Sequence, residues 1–362
     1  MRDMVEWKKL GLIADISIGE FVHKNKQNPD AFYPVYNGGI TYTGFYDKYN
    51  NTENKIVISA RGATAGFVNR VFCKYWAGNS SYSVDVNPLL ASWTFVYYFL
   101  KNYQSKLISD QQKGGGIPSI SKKQVQDIVV PVPSLSEQTR IVGILDTFTA
   151  SIENLKEQIA ERCKQYEHYR DQLLDLEGKE GVTKILLKDV CDVINGRAYS
   201  QPELLNEGKY RVLRVGNFFS NDSWYYSDLE LEDKYYCEKG DLLYAWSASF
   251  GPHIWEEEKV IYHYHIWKMN CGERLQKKFM YYWLQSEDMK KQAFTNLHGA
   301  TMAHLTKALM ESLMVPIPSF SEQRRIVTIL DTFEASIANL EAQLKEREKQ
   351  YEYYRNKLLT FE

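Results

Sequence analysis

Residues 131–148 read PVPSLSEQTRIVGILDTF, and residues 316–333 read PIPSFSEQRRIVTILDTF. The likeness runs on through ASIENLKEQIAERCKQYEHYRDQLL to Leu174 and ASIANLEAQLKEREKQYEYYRNKLL to Leu359, at a constant offset of 185 residues. Roughly two-thirds of the paired positions are identical, which marks an internal repeat. In the first copy Ile141, Leu145, Phe148, Ile152, Leu155, Ile159, Tyr166, Tyr169, Leu173 and Leu176 step by fours and threes, and Arg162 interrupts the series. In the second, Ile326, Leu330, Phe333, Ile337, Leu340, Leu344, Tyr351, Tyr354, Leu358 and Phe361 do the same, with Arg347 at the matching place. A 4-3 spacing sustained this long is the seam of a coiled coil. Each copy follows a Pro-x-Pro that cannot continue a helix. Ser134 with Glu137, and Ser319 with Glu322, read as capping boxes at the starts.

A helix of about 36 residues is about 54 Å long at the α-helical rise. Its apolar seam needs a partner, and the other copy is the nearest one. Because each helix closes a similar globular segment, the expected pairing is antiparallel about a pseudo-two-fold axis, with one globular segment at each end. Val142 and Ile144, with Val327 and Ile329, widen the stripe at each helix start, toward the preceding globular segment or another subunit. Arg162 and Arg347 are expected to snorkel or to meet a Glu across the pair and fix its register.

At 362 residues the chain has room for two ordinary domains plus the helices. It contains no run of 18 apolar residues, and MRDMVEWKK does not read as a signal peptide. The five cysteines, Cys73, Cys163, Cys191, Cys237 and Cys271, are odd in number and contain no C-x-x-C, as expected of reduced thiols in a cytoplasmic protein. The net charge of −2 divides unevenly. Residues 1–135 carry 15 Lys+Arg against 10 Asp+Glu, a net of +5. Residues 136–178 are −4, residues 179–319 are −2 and residues 320–362 are −1. Charge therefore supports nucleic-acid binding weakly for the first globular segment and not at all for the second.

In the first segment WKKLGLIADISIGE reads as a short helix running into a strand. YPVYNGGITYTGFY, NKIVISARGATAGFVNR and YSVDV read as short strands broken by glycine. WTFVYYFLKNYQSKLIS is an amphipathic helix, followed by the loop QQKGGGIPSIS and the exit KKQVQDIVVPVP. Residues 184–315 repeat this order with more divergence: ILLKDVCDVINGR, YRVLRVGNFF, GDLLYAWSASFG, KKFMYYWLQS and LHGATMAHLTKALMESLMVPIP. Gly19 and Gly196 occupy matching places. The architecture predicted is α+β: residues 1–133 a mixed domain, 134–178 a helix, 179–318 a second mixed domain, 319–362 the second helix. Two near-identical helices carrying two divergent globular faces suggest a ruler for a bipartite target.

The twice-repeated SEQxRIV-x-ILD-x-F after a Pro-x-Pro-Ser lead, closing two such segments, resembles the specificity (S) subunits of type I restriction–modification enzymes. The resemblance covers essentially the whole chain. It implies two target-recognition domains, each reading one half of a split double-stranded DNA sequence. It also implies two methyltransferase (M) subunits docked on the central helices, and translocase/nuclease (R) subunits that join for restriction.

No G-x-G-x-x-G or N/D-P-P-Y/F occurs, so no S-adenosylmethionine site or adenine-methylating motif is expected, and no cofactor. Gly114–Gly116 lacks the Lys-Ser/Thr of a phosphate-binding loop, and G-x-S-x-G is absent. His263 and His265, with His253 and Cys271 nearby, lack a matching ligand set and read as surface or packing residues rather than a metal site. The chain reads as a non-catalytic reader and scaffold. Base readout needs paired donors and acceptors on loops, and phosphate contacts need Lys, Arg or backbone N–H groups. The first domain offers Lys24, Lys26, Asn37, Arg61 and Lys113; the matching loops of the second offer Arg197, Arg214, Asn217, Ser247 and His298. Trp246 and Tyr42 read as core packing. Two other readings stay open: a coiled-coil adaptor whose globular halves bind protein or glycan, and an S-like partner of a stand-alone methyltransferase.

Overall fold

The computed structural model describes residues 5–112, 116–219, 221–247, 249–294 and 305–361. The chain divides into two compact units, residues 1–156 with 342–362, and residues 157–341.

In the first unit β1 (Glu6–Lys9) and a single turn α1 (Leu10–Ile13) lead into β2 (Ala14–Ile18), β3 (Tyr33–Tyr36), β4 (Gly44–Tyr46), β5 (Lys55–Ser59), β6 (Val68–Val71), β7 (Trp76–Ala77) and β8 (Ser81–Val86). Then come α2 (Trp93–Gln112), α3 (Lys122–Gln126), β9 (Val129–Val132) and the long helix α4 (Leu135–Leu174). Strands β2-β8-β5-β6 form an antiparallel sheet, and a smaller sheet β4-β3-β7 holds one parallel pair, β3 with β7. The helix expected within WKKLGLIADISIGE shrinks to four residues because Glu6–Lys9 is drawn into a ladder with Val129–Val132. That ladder ties the start of the domain to the strand that launches the long helix.

The second unit repeats the plan. Its elements are β10 (Thr183–Leu186), β11 (Cys191–Asn195), β12 (Tyr210–Leu213), β13 (Tyr225–Ser227), β14 (Tyr236–Cys237), β15 (Leu242–Ser247), β16 (Ser249–Ile254), β17 (Val260–Tyr262) and β18 (Ile266–Cys271). They are followed by α5 (Lys277–Trp283), α6 (Glu287–Phe294), α7 (Lys307–Glu311), β19 (Met314–Ile317) and the long helix α8 (Phe320–Leu359). Strands β11-β18-β15-β16 match β2-β8-β5-β6, β13-β12-β17 match β4-β3-β7, and β10-β19 match β1-β9. The matching glycines explain part of this likeness. A Cβ on Gly19 would lie 2.1 Å from Ala77 O, and one on Gly196 would lie 2.4 Å from His263 O. In both units the strand leaving the large sheet passes so close to the strand-to-strand loop that no side chain fits.

Each unit also holds two antiparallel helix segments. In the first unit Phe148 stacks on Tyr354 with ring centroids 5.4 Å apart and planes 27° off parallel; in the second Phe333 stacks on Tyr169 at 5.4 Å and 28°. These are the same pair displaced by 185 residues, so the packing repeats as the sequence does. Lys156 meets Glu348 at 3.4 Å. Arg347 lies over the Phe148 ring and Arg162 over the Phe333 ring, 5.7 and 5.9 Å from the centroids. The seam cations therefore rest on an aromatic face.

The SEQ motif has a structural reason in both copies. Ser134 Oγ accepts the Glu137 N–H at 3.4 Å and Ser319 Oγ accepts the Glu322 N–H at 3.3 Å, capping the helices. Both Glu carboxylates grip the Arg three residues on, Glu137 with Arg140 and Glu322 with Arg325, through two hydrogen bonds each. The Gln side chains are fully buried. Gln138 accepts the Ser92 N–H at 2.7 Å and donates to Pro133 O at 2.8 Å. Gln323 accepts the Gln276 N–H at 2.8 Å and donates to Pro318 O at 3.0 Å. Ser92 and Gln276 each precede the helix of their own domain, so one amide staples the start of the domain helix to the start of the long helix. Ile141, Leu145 and Leu359 close the first core, and Ile326, Leu330 and Leu174 close the second.

Candidate nucleic-acid interface

Four loops converge at one end of the first unit's sheets. Gly62 N donates to Pro118 O at 2.9 Å, Ala60 N to Ser80 O at 2.7 Å, Ile120 N to Ala60 O at 2.9 Å, and Ser59 Oγ to Gly39 O at 2.8 Å. Segments 37–42, 60–66, 78–80 and 116–120 thus form one surface. Arg61 stands exposed on it, backbone-paired with Ser119. Ile40, Tyr42 and Ile117 are 61 %, 46 % and 82 % exposed, an unusual amount of apolar surface beside a free guanidinium. Lys24 and Lys26 lie in the turn between β2 and β3, both exposed. That turn packs against β4, where Asn28 N donates to Phe45 O at 3.0 Å. No ion pair holds Lys24, Lys26 or Arg61 among the described residues, whereas Lys9, Lys55 and Arg70 are paired with Asp127, Asp85 and Asp146.

Asn37 is on the same surface, but its Oδ1 accepts the Ser80 N–H at 3.1 Å and its side chain fills the space beside Gly78. Its amide builds the loop. Tyr42, expected in the core, is exposed, with its ring edge-on to Tyr36 and tilted against Phe45. Lys113 lies outside the described residues.

In the second unit the equivalent surface gathers round the loop His263–His265. Arg197 N donates to Tyr262 O at 3.1 Å and Tyr264 N to Arg197 O at 3.1 Å, while His263 N donates to Leu213 O at 2.9 Å, beside Arg214. Trp246 Nε1 donates to Tyr264 O at 2.9 Å. The His263 ring lies 4.9 Å from that of His265 and 4.4 Å from that of Tyr264, and Trp246 stands edge-on to His265 at 5.1 Å. Burial pushes the His263 imidazole down to about 4, and His265 and Arg214 press in the same direction. It is neutral at physiological pH. His263 and His265 read from the sequence as surface or packing residues; their gathering with Tyr264 and Trp246 beside Arg214 is what the structure adds.

Of the second-unit residues expected to read DNA, Arg214 is the one exposed cation free of a carboxylate among the described residues, and its guanidinium lies over the Tyr225 ring at 5.3 Å. Arg197 is bound to Glu203 at 2.6 Å and lies over the Tyr199 ring. Asn217 accepts the Arg214 N–H and donates to Asn221 O and Ser223 O, so its amide closes a turn. Ser247 is only 9 % exposed, at the end of β15, which leaves it no reach to a ligand. His298 lies outside the described residues. A cleft of about 1090 Å³ nearby holds Lys209, Arg211, Lys239 and Lys259, but Glu238, Glu256, Glu257 and Glu258 share it. Arg211 is paired with Glu257 and Lys259 with Glu238, so this cleft is no anion site.

Val142 and Val327 are half-buried and pack against the cores of their own units. Ile329 lines a groove of about 300 Å³ with Arg162, Thr332, Phe333 and Ser336. The 185-residue offset turns that set into Ile144, Arg347, Thr147, Phe148 and Ser151, the same residue types. Among the described residues no group of His, Cys, Asp and Glu could hold a metal ion, and no helix is long and apolar enough to cross a membrane.

The family model described as the type I restriction modification DNA specificity domain matches residues 4–164 and again 179–349. A putative type I restriction enzyme specificity subunit of Haemophilus influenzae is 28% identical, with 99% of this chain and 96% of the relative aligned. The EcoR124I/EcoR124II specificity subunit of Escherichia coli is also 28% identical, over 99% and 94%. Among solved structures, the S subunit of a type I restriction–modification system from M. genitalium superposes with a TM-score of 0.67 at 20% identity, covering 99% of this chain and 97% of that one. The matched residues fall once on each α+β half with its long helix, and the chain belongs to the type I restriction–modification DNA specificity family.

Proposed function

We propose that this chain is the DNA-reading and scaffolding subunit of a cytoplasmic type I restriction–modification complex, with no catalysis of its own. Residues 1–133 and 179–318 act as target-recognition domains, each reading one half of a bipartite double-stranded site. The helices 134–178 and 319–362 space them. The observation that carries this reading is the contrast between repeated helix packing and divergent loop surfaces. Phe148–Tyr354 and Phe333–Tyr169 are superimposable pairs, whereas one loop cluster presents Arg61 among isoleucines and the other presents Arg214 beside a histidine–aromatic cluster. Equal scaffolds with unequal faces suit two different half-sites. The duplicated set Ile144/Arg347 and Ile329/Arg162 suits two copies of one partner, and we assign it, with Val142 and Val327, to two methyltransferase subunits. Translocase/nuclease subunits join that core for restriction. Base readout at Arg61 and Arg214, and phosphate contact at Lys24 and Lys26, follow from their exposure and lack of carboxylate partners.

Methylome sequencing of cells with and without the chain tests the reading. Loss of methylation at one split motif is the expected result. An unchanged methylome, with no salt-dependent duplex binding by the assembled complex, would leave a protein- or glycan-binding adaptor instead.

A further inference from the structure

Cys191 and Cys271 face each other at one end of the second unit's large sheet. The antiparallel register pairs Cys191 directly with Cys271, Asp192 with Asn270 and Val193 with Met269. The hydrogen bonds fix which kind of pair this is. Gly272 N donates to Val190 O at 2.9 Å, and Gly196 N donates to Ile266 O at 3.1 Å. Both bonds belong to the even-numbered positions of this strand. Cys191 and Cys271 therefore form a non-hydrogen-bonded pair, the position at which opposed Cα atoms come closest, about 4.5 Å apart, with side chains on one face. A disulfide accepts Cα separations of about 4.4–6.8 Å, so no backbone movement is needed. Both cysteines are free; Cys191 is 3 % exposed and Cys271 is half-buried at the edge of the same core.

We infer that Cys191 and Cys271 are an oxidisable dithiol, a modification site for peroxide-class oxidants and for trivalent arsenicals. The two thiols differ in a way that assigns their roles. The hydrogen bond from the Cys191 thiol holds the Cys271 sulfur below the usual thiol range, and the Lys277 ammonium adds to this; the same hydrogen bond, with burial, pushes Cys191 up. Cys191 Sγ also lies 3.8 Å from Asp192 O. Cys271 is thus the better thiolate, and it is the more exposed residue of the two. Its sulfur attacks one oxygen of hydrogen peroxide; the O–O bond breaks, a sulfenic acid forms, and hydroxide leaves as water after taking a proton. The Cys191 sulfur then attacks the Cys271 sulfur. The S–S bond forms, the S–O bond breaks, and the departing hydroxide takes the Cys191 proton as a second water. Two thiols and one peroxide give one disulfide and two waters. The crosslink clamps edge strand β11 to β18, whose other end carries Gly196, Arg197 and the loop His263–His265. Cys237, fully buried and with its thiol pushed up by burial, serves as the inert control.

The test treats the full chain with hydrogen peroxide and blocks remaining thiols with N-ethylmaleimide; one portion is peptide-mapped without reduction, and the other is mapped after reduction and labelling of what was protected. The expected result is that Cys191 and Cys271 leave the free-thiol pool in step and appear as one crosslinked peptide pair, two hydrogens lighter than the separate peptides. In Cys191→Ser the Cys271 sulfenic acid, now without a resolving thiol, is expected to be trapped by dimedone and to proceed to sulfinic acid. Phenylarsine oxide, which needs no variant, is expected to protect both residues from alkylation at one equivalent per chain. Wild-type chain that accumulates the dimedone adduct at Cys271 while Cys191 stays alkylatable overturns the inference. So does a disulfide from Cys73 to either residue.

Discussion

Tyr98 donates its phenol hydrogen to the carboxylate of Asp146, joining the domain helix to the long helix within the first unit. Tyr282 does the same to Asp331 at 2.5 Å in the second. Asp146 and Asp331 are the aspartates of the two ILD triplets, 185 residues apart. Around them the partners diverge. Arg70 reaches Asp146 at 3.2 Å, whereas Lys278 reaches Asp331 at 2.6 Å, and Thr149 is replaced by Glu334, which also accepts from Tyr282. Burial, with the neighbouring carboxylate, pushes both phenols well above the ordinary tyrosine range, so they stay protonated donors. The triplet is therefore an attachment point that keeps each domain at a fixed angle on its own helix segment.

Removing either hydroxyl should loosen one unit and spare the other. Tyr98→Phe and Tyr282→Phe each remove one charge-assisted donor from a carboxylate that keeps Arg70 or Lys278, at a cost of about 1 kcal/mol each. Hydrogen exchange by mass spectrometry reads the effect locally. Faster exchange is expected in residues 93–112 for Tyr98→Phe and in residues 277–294 for Tyr282→Phe. In the double variant Tyr98→Phe/Asp146→Asn the losses should fall short of additive, since both remove one interaction. Full additivity would show that the two residues act separately.

Arg61 is expected to matter more to DNA than any other described cation of the first unit. Arg61→Ala in the assembled complex should cost about 1–3 kcal/mol of binding and relax one base position, as for loss of a guanine contact. Lys24→Ala and Lys26→Ala should instead weaken all sequences alike and each lower the salt slope by about one. Salt-titrated binding to a panel of single-base variants separates the two patterns. Equal losses on every sequence for Arg61→Ala would demote it to a phosphate contact.

The second unit should lose stability as pH falls from about 6.5 to 4. His263 has a folded value near 4, below that of a free imidazole. Between those values the unfolded chain takes up the proton and the folded one does not, so acid favours unfolding. With the ring half-buried, the effect is on the order of 1 kcal/mol after solvent screening is allowed for. Thermal unfolding of wild type and His263→Asn at pH 7 and pH 4.5 reads it. A smaller acid-induced drop is expected in the variant, and an equal drop would place the proton uptake elsewhere.

The long helices were legible because a 4-3 spacing over five heptads has no competing explanation, and the caps and the Pro-x-Pro lead marked where they begin. The α+β halves were legible as an order of elements but less so at their edges: WKK became a strand only because VVPV, more than 100 residues later, pairs with it. The site was harder to read. Arg61 followed from glycine-rich loop context, but Asn37, Asn217 and Ser247 have the right chemistry for base reading and use it within the fold. N-G-G and V-G-N-F are turn chemistry as well as recognition chemistry, and Ser247 falls on a strand whose other residues are nearly all buried. The sequence also could not show that Arg197 has Glu203 as its partner, nor that Tyr264, His263 and His265 gather beside Arg214. The first is settled by the local 197–203 loop, and the second follows from a parallel strand pair, β12 with β17, that no local pattern announces.

The spacing role of the helices gives the last prediction. Each long helix is 40 residues, about 60 Å at the helical rise. In each unit the helix segments run antiparallel, and the stacked pairs obey the same 185-residue offset. Residues 155–161 and 340–346 are one heptad in each helix, matched by that offset and situated between the two stacked pairs. Removing both heptads preserves the 4-3 seam, keeps Arg162 and Arg347, and shortens each helix by about 10 Å, close to 3 base pairs of duplex. If the helices set the distance between two half-site readers, methylation should move to a target whose unread spacer is shorter by about that amount. It should vanish if seven residues, just under two helical turns, rotate the readers off a common DNA face. Methylome sequencing of cells carrying the deletion reads both outcomes. Methylation retained at the original spacing, with the shortened chain folded and assembled, would show that something other than the helices sets the distance.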